Sequence, residues 1–94
     1  ASMALRWAAS ARADLVRIYE FLAPVDPRAA ANAVQQLVSG AKRIPRHPRL
    51  GNRLRGFGRR EVRRLLVDTY EMRYEIGVEG DIWILRLWHT REFR

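Results

Sequence analysis

The spacing of apolar residues changes once along this chain, from a helical period in its first half to strict alternation near its end. Between residues 11 and 22 the apolar positions lie four, three and four residues apart, which is the spacing of one helix face. They are Ala11, Leu15, Ile18 and Leu22, whereas Arg12, Asp14, Arg17 and Glu20 lie off the stripe. Because serine is a good N-cap, the pattern predicts a first helix that is capped by Ser10 and ends at about Ala23.

A second helical stripe follows a short connection that begins with Pro24. Asp26 is placed to cap its N-terminus, and Pro27 suits the first helical position because an N–H there would have no intrahelical partner. The apolar positions recur largely at spacings of three and four, at Ala30, Val34, Leu37, Val38, Ala41 and Ile44. Pro45 ends the pattern. Two amphipathic helices joined by about four residues predict an antiparallel helical hairpin.

Alternation marks the second half of the chain as a sheet. Apolar Tyr70, Met72, Tyr74 and Ile76 alternate with polar or small residues, which is typical of a strand with one buried face. Residues 60–67 precede it as another strand. Residues 82–88 follow a turn signal at Glu79-Gly80 and read as a central strand, since only Arg86 interrupts their apolar run. Residues 4–7 suggest a short first strand, and residues 45–59, with two prolines and three glycines, predict a loop.

The predicted order of elements is therefore β-α-α-β-β-β. Because the helices and most strands form separate runs, we expect an α+β fold in which the N-terminal strand and the helical hairpin pack on a mostly antiparallel, twisted sheet. A chain of 94 residues fits one small domain, which we assign to residues 3–94. Ala1 and Ser2, which precede Met3, look like residues left by cloning.

The composition excludes several classes of function. With no cysteine and two isolated histidines, the sequence predicts no disulfide, no redox chemistry, no metal site and no cofactor. No window approaches the roughly 20 apolar residues that cross a bilayer, and there is no secretory signal pattern. We therefore expect a cytoplasmic protein that does not bind a membrane.

Positive charge is concentrated in residues 42–64. This segment holds ten basic residues against Glu61 alone, a net charge of +9, whereas the whole chain carries +8. Its basic residues are Lys42, Arg43, Arg46, Arg49, Arg53, Arg55, Arg59, Arg60, Arg63 and Arg64. Guanidinium groups match both phosphate and carboxylate in bidentate geometry. We expect an anionic partner, either nucleic acid or an acidic protein surface, and composition does not choose between them.

Two tryptophans lie in the last predicted strand. Trp83 and Trp88 are five residues apart, an odd number, so simple alternation places them on opposite faces of the sheet. At least one should then lie under the helices, and the other, if exposed, is a candidate anchor for a partner.

Several short motifs, in this order, resemble the RelE/ParE superfamily of bacterial toxins from type II toxin–antitoxin systems. They are the helix pattern Ala11-x-x-Asp14-Leu15-x-x-Ile18-x-x-Phe21-Leu22, Asp26-Pro27 with Ala30, the turn His47-Pro48-Arg49-Leu50-Gly51, Tyr70-x-x-x-Tyr74, and Ile84-Leu85-Arg86-Leu87-Trp88-His89. The resemblance implies a small toxin that is held inactive by a cognate antitoxin. Antitoxin tails are commonly acidic and disordered, and would fold across a basic, partly apolar surface.

The superfamily has two branches with different chemistry. RelE-like toxins cut mRNA on the ribosome. A chain that resembles this branch is expected to have an arginine shortly after a glycine in the Tyr-containing strand, and a tyrosine or a His-Tyr pair at the C-terminus. In this sequence Thr69 stands where the glycine would be and Glu71 where the arginine would be, and Phe93 replaces the terminal tyrosine. A carboxylate would repel the scissile phosphate, and phenylalanine transfers no proton. The substitutions favour the ParE-like branch, which inhibits DNA gyrase and has no favoured catalytic residue.

Two alternatives remain open at this stage. A RelE-like endonuclease acting on mRNA at the ribosome would use His89 as a base, with a phosphate surrounded by Arg63, Arg64, Arg73 and Arg91. A weaker alternative is a basic nucleic-acid-binding module. We favour a structural role for His89.

For the ParE-like hypothesis, the residues predicted to contact the antitoxin or target are Arg49, Arg53, Arg55, Arg59, Arg60, Arg63, Arg64 and Trp88.

Overall fold

Two antiparallel helices lie on one face of a five-stranded sheet. The computed structural model describes residues 4–92. The elements are β1 (Leu5–Trp7), α1 (Ala9–Leu22), α2 (Pro27–Arg43), β2 (Asn52–Arg53), β3 (Glu61–Val67), β4 (Tyr70–Ile76) and β5 (Ile82–His89). The strands are ordered β1-β5-β4-β3-β2, with β1 parallel to β5 and all other neighbours antiparallel. The predicted α+β architecture is confirmed.

The two helices begin differently from one another. At the start of α2, Asp26 Oδ1 accepts the backbone N–H groups of Arg28 at 3.1 Å and Ala29 at 3.2 Å, so the predicted cap is confirmed. The predicted Ser10 cap is wrong, because α1 begins earlier and its N-cap, Ala8, has no side-chain hydrogen bond. Ser10 instead donates its hydroxyl to the backbone oxygen of Leu85, at 2.8 Å.

The predicted loop between α2 and β3 contains the short strand β2. Asn52 pairs with Arg64, and Arg53 pairs with Arg63, at the outer edge of the sheet. A strand of two residues is too short to show an alternating pattern, which is why the sequence gives no sign of it.

The core lies between the helices and the sheet. It combines the apolar stripes of both helices with alternate residues of β3, β4 and β5, including Ile18, Leu37, Ile44, Leu65, Met72, Tyr74, Ile84 and Leu87. The predicted alternation along β4 is confirmed, since Tyr70, Met72 and Tyr74 belong to this core and Ile76 packs against it. Within the described residues, no helix is both long and apolar enough to span a bilayer.

A β-bulge in β5 changes the faces of its tryptophans. The register pairs Tyr74 with Ile84 but Arg73 with Arg86, so β5 contains one extra residue, Leu85. Beyond the bulge Trp88 pairs with Glu71, whereas Trp83 pairs with Glu75. Glu71 and Glu75 are four residues apart in one strand, so both tryptophans lie on the face away from the helices. The predicted placement on opposite faces is wrong because the bulge interrupts the alternation.

Candidate functional site

Side chains of α1 form hydrogen bonds with the part of β5 that has no neighbouring strand. Strand β1 ends where Trp7 pairs with Ile84, so the rest of β5 has no neighbouring strand on that side. Side chains of α1 take its place: Ser10 donates to the Leu85 oxygen, and Arg17 donates to the Leu87 oxygen at 2.9 Å. The backbone N–H of Leu87 donates to Asp14 Oδ2 at 2.8 Å. Polar residues of α1 therefore hold the helix against the end of β5.

Asp14 is the charged centre of this contact. Its carboxylate is buried and receives hydrogen bonds from Arg86 at 2.8 and 3.3 Å, and Arg17 lies 3.4 Å away. Burial raises the pKa of Asp14, but the hydrogen bonds from Arg86 and Leu87 and the charges of both arginines outweigh burial, so the pKa is lowered from its usual 3.8. The helical stripe had placed Asp14 off the apolar face, and its burial reflects this specific pairing.

His89 is held by its neighbours at the end of β5. Its backbone N–H donates to Glu92 Oε1 at 2.7 Å, and its ring Nδ1 accepts the backbone N–H of Arg91 at 3.0 Å. Glu92 in turn pairs with Arg17. The His89 ring meets Tyr70 edge to face, with centroids 5.2 Å apart. These contacts orient the ring towards the helix side of the sheet.

An apolar groove opens between α1 and the ends of β4 and β5. It has a volume of about 560 Å³, and Ile18, Leu22 and Tyr70 line it together with His89. Phe21 also lines the groove, yet its side chain is 81% exposed. We call this feature the α1 groove. Burial, together with the charges of Glu92 and Asp68, raises the pKa of Tyr70. Exposed apolar surface beside a groove is typical of a site that binds another protein.

Tyr74 fixes the loop that follows α2. Its hydroxyl donates to the Pro48 oxygen at 2.6 Å and accepts the Gly51 N–H at 2.9 Å. Arg63 donates to the Gly51 oxygen at 2.7 Å. Burial raises the pKa of Tyr74, so the hydroxyl stays protonated and able to donate. The turn at residues 47–51 and the tyrosine of β4, which are separate motifs in the sequence, thus form one contact.

The face of the sheet away from the helices carries stacked arginines and aromatic rings. We call it the helix-free face. The Arg73 guanidinium lies 4.9 Å from the ring centroid of Trp88 and 5.6 Å from that of Phe57, and Arg60 lies 5.9 Å from Phe57 on this face. Glu71 is buried, with Arg64 at 3.8 Å and Arg73 at 4.0 Å. Glu71 thereby offsets part of the charge of two arginines that the predicted RelE-like site would use.

The residues of the predicted endonuclease site do not come together. His89 lies with Tyr70 on the helix side of the sheet, whereas Arg64 and Arg73 lie with Glu71 on the helix-free face. Arg63 faces the helix side but is held by Glu61 and the Gly51 oxygen. Of the four arginines predicted for this site, only Arg91 lines the α1 groove with His89. Phe93 lies outside the described residues. Among residues 4–92, no cluster of three metal-ligating side chains occurs.

The predicted contact arginines fall into two groups. Four form intramolecular ion pairs: Arg49 and Arg63 share Glu61, Arg60 pairs with Glu75, and Arg64 pairs with Glu71. The other three, Arg53, Arg55 and Arg59, are exposed and form no ion pair within residues 4–92. The sequence could not separate the groups, because the register of β3 and β4 decides which arginines meet a carboxylate.

Trp88 is not the exposed anchor that the sequence suggested. Its side chain is only 6% exposed, since Arg73 covers its ring, whereas Trp83 is 38% exposed. An accessible tryptophan on this face is therefore Trp83, which Arg6 approaches to 5.9 Å.

Comparison with known proteins identifies the family. Residues 5–93 match the model of the ParE toxin of the type II toxin–antitoxin system parDE. The chain belongs to the ParE toxin family. This ParE-family protein is also similar to a chain of the chromosomal ParDE toxin–antitoxin system from Pseudomonas aeruginosa, with 27% identity, 94% of this chain and 96% of that chain covered, and a TM-score of 0.78.

Two further solved structures share the architecture of this ParE-family protein. A chain of the RelBE2 toxin–antitoxin complex from Mycobacterium tuberculosis is 28% identical, with 95% of this chain and 99% of that chain covered and a TM-score of 0.63. A chain of the archaeal RelE–RelB complex from Pyrococcus horikoshii OT3 is 14% identical over 99% of this chain and 100% of that chain, with a TM-score of 0.68, and shows the fold alone. No curated protein matches the sequence.

Proposed function

We propose that this type II toxin acts by binding DNA gyrase rather than by cutting RNA, and that a cognate antitoxin neutralises it. The main observation in support of this choice is that the sheet separates His89, on its helix side, from Arg64 and Arg73, on the helix-free face. Metal-free cleavage of RNA needs a base and stabilising cations around one phosphodiester. The groove gives His89 only Arg91 and Arg17, and Arg17 is paired with Asp14 and Glu92, while Arg64 and Arg73 lie on the opposite face.

Buried Glu71 supports the same choice. It places a carboxylate between the two arginines that face away from the helices, at 3.8 and 4.0 Å. An incoming phosphate would have to displace that carboxylate and would be repelled by it. A surface of this kind suits recognition of a protein better than stabilisation of a reaction intermediate.

Induction of the protein in bacterial cells tests the proposal. Gyrase inhibition should produce filamentous cells with an induced DNA-damage response, and purified toxin should inhibit supercoiling by gyrase. The variant His89→Ala should retain this toxicity, because no proton transfer is required. The alternative RelE-like function, favoured by the similarity to the RelBE2 complex, predicts rapid arrest of translation and mRNA cut within ribosomes. That result, abolished by His89→Ala, would overturn the proposal.

We assign the antitoxin contact to the α1 groove. It is the place where the apolar floor of Ile18 and Leu22 meets a largely exposed phenylalanine, Phe21. An antitoxin segment that inserts an apolar side chain there would cover Phe21 and gain the hydrophobic free energy of its burial.

Paired variants test this contact. Co-expression of the small reading frame next to the toxin gene should rescue growth of cells that make the unaltered toxin. Phe21→Asp should escape that rescue, whereas Val78→Asp, in the turn before β5 and fully exposed, should be rescued normally. Rescue of both variants would assign the antitoxin contact elsewhere.

A further inference from the structure

A group of exposed apolar side chains and a group of unpaired arginines lie on different parts of the protein. On α1 and the loop after it, Val16, Tyr19, Phe21 and Val25 are all exposed. Arg12 and Arg28 on the helices form no ion pair within residues 4–92. A denser group of unpaired cations lies on the segment before β3. Within the described residues, they include Arg53, Arg55 and Arg59, none of which meets a carboxylate. Two surfaces of different chemistry suit two different partners.

The segment from Arg53 to Arg60, which we call the arginine loop, is held in place by its own aromatic residue. The guanidinium groups of Arg60 and Arg73 lie 5.9 and 5.6 Å from the centroid of the Phe57 ring. Arg60 also forms two hydrogen bonds with Glu75, at 2.7 and 3.0 Å. At the start of the loop, the Leu54 N–H donates to the Val62 oxygen at 2.8 Å. The loop is thus anchored to the helix-free face while Arg55 and Arg59 extend into solvent.

The backbone turns tightly between these two arginines. Gly56 has φ of 92° and Gly58 has φ of 61°, in the left-handed region that favours glycine. A Cβ atom at either glycine would meet no atom within 4 Å, so the outer surface of the turn is open. Two unpaired guanidinium groups therefore flank a loop tip whose two glycines have open space beside them.

We propose that the arginine loop binds the phosphodiester backbone of nucleic acid. Arginine recognises phosphate through bidentate hydrogen bonds, and interfaces with nucleic acid are polar and strongly positive. Protein–protein interfaces also favour arginine, but their centres are rich in aromatic and other apolar side chains. In the part of the chain that the structure describes, no large apolar residue between positions 53 and 60 is exposed. The loop has this chemistry whatever protein the toxin targets.

Binding to defined probes tests the proposal. The probes are a short fluorescein-labelled DNA duplex, a labelled single-stranded RNA of the same length, and labelled poly-L-glutamate. The test variant is Arg55→Glu with Arg59→Glu. Its matched control is Arg12→Glu with Arg28→Glu, which reverses two exposed arginines on the helices and changes the net charge equally. Thermal unfolding monitored by circular dichroism establishes that both variants fold.

The unaltered protein should bind a nucleic-acid probe more tightly than poly-L-glutamate, and the stronger of the DNA and RNA signals identifies the source of the phosphate. The test variant should lose about tenfold or more in affinity at low salt. The slope of its log affinity against log salt concentration should decrease by the amount expected for about two phosphate contacts. The control should stay within about twofold of the unaltered protein. Equal losses in both variants, no loss in the test variant, or tighter binding to poly-L-glutamate would overturn the proposal.

Discussion

The carboxylate of Asp14 on α1 accepts the backbone N–H of Leu87 on β5, with 2.8 Å between Oδ2 and nitrogen. Asp14 also pairs with Arg86 one residue earlier in β5, so two motifs that are 72 residues apart in sequence meet in one contact. Free strand edges can pair with other chains, and covering them is a common protection against aggregation. In this protein polar side chains of α1 cover the free edge of β5.

Replacing Asp14 with alanine should destabilise the protein. The change leaves the Leu87 N–H and the Arg86 guanidinium without their acceptor, and a buried unsatisfied donor costs about 1–3 kcal/mol. The free energy of unfolding from urea titration measures the effect. Asp81→Ala is the control, because its ion pair with Arg6 is more exposed and such pairs contribute about 0–1 kcal/mol. Equal losses in both variants would contradict a special role for the Asp14 contact.

The Asp14 contact should also depend on pH. Because the pKa of Asp14 in the folded protein is lowered from its usual 3.8, its stabilisation is fully present above that value. The stabilisation is lost as the pH falls from about 3.8 through the lower folded pKa. Unfolding of the unaltered protein and Asp14→Asn should therefore be compared from neutral pH into this acid range. The difference in unfolding free energy should shrink as the pH falls, and a constant difference would refute the lowered pKa.

Tyr74→Phe should loosen the loop after α2. The ring remains buried, but the Gly51 N–H loses its acceptor and the Pro48 oxygen loses its donor. We expect a loss of about 1–3 kcal/mol in the free energy of unfolding. Hydrogen exchange of the Gly51 amide should become faster. Tyr19→Phe is the control, because Tyr19 is exposed on α1 and should change stability by less than about 0.5 kcal/mol.

Gly51→Ala should be destabilising for a steric reason. A Cβ atom at this position would lie 2.4 Å from the Arg64 backbone oxygen and 3.0 Å from Tyr74 Cε1. Because the backbone oxygen belongs to the sheet, the loop would have to move away, and overpacking typically costs about 1–3 kcal/mol. At Gly77 the nearest atom to a Cβ would be 3.4 Å away, so Gly77→Ala is the matched control. Thermal unfolding of both variants should show a lower midpoint for Gly51→Ala, and equal midpoints would refute the clash.

Leu37→Ala tests the packing of the helical hairpin. Leu37 is fully buried in α2, and removing its side chain should cost about 2–5 kcal/mol. Leu66→Ala on β3 is the control, since Leu66 is about half exposed and lies on the helix-free face. Chemical denaturation measures both. A loss below about 0.5 kcal/mol for Leu37→Ala would show that α2 does not pack on the sheet as described.

The sequence predicted much of the architecture, because apolar spacing reports which face of each element is buried. The stripes of both helices, the Asp26 cap and the alternation along β4 are local patterns that the structure confirms. Ser10 shows the limit of local signals. A serine before a helix is a good cap, yet here its hydroxyl donates to the backbone oxygen of Leu85 at the free edge of β5, 75 residues away.

The amino-acid sequence alone determined the order of the longer elements, the buried faces of both helices and of β4, and the concentration of arginine, since each depends on neighbouring residues or on composition. The tertiary structure decided which arginines are free, because a carboxylate neutralises Arg60 or Arg64 only once the strands pair in one register. It also decided that His89 and Arg73 lie on opposite faces, since the bulge at Leu85 depends on hydrogen bonding between β4 and β5. Such pairings join residues far apart in the chain, and no local spacing encodes them.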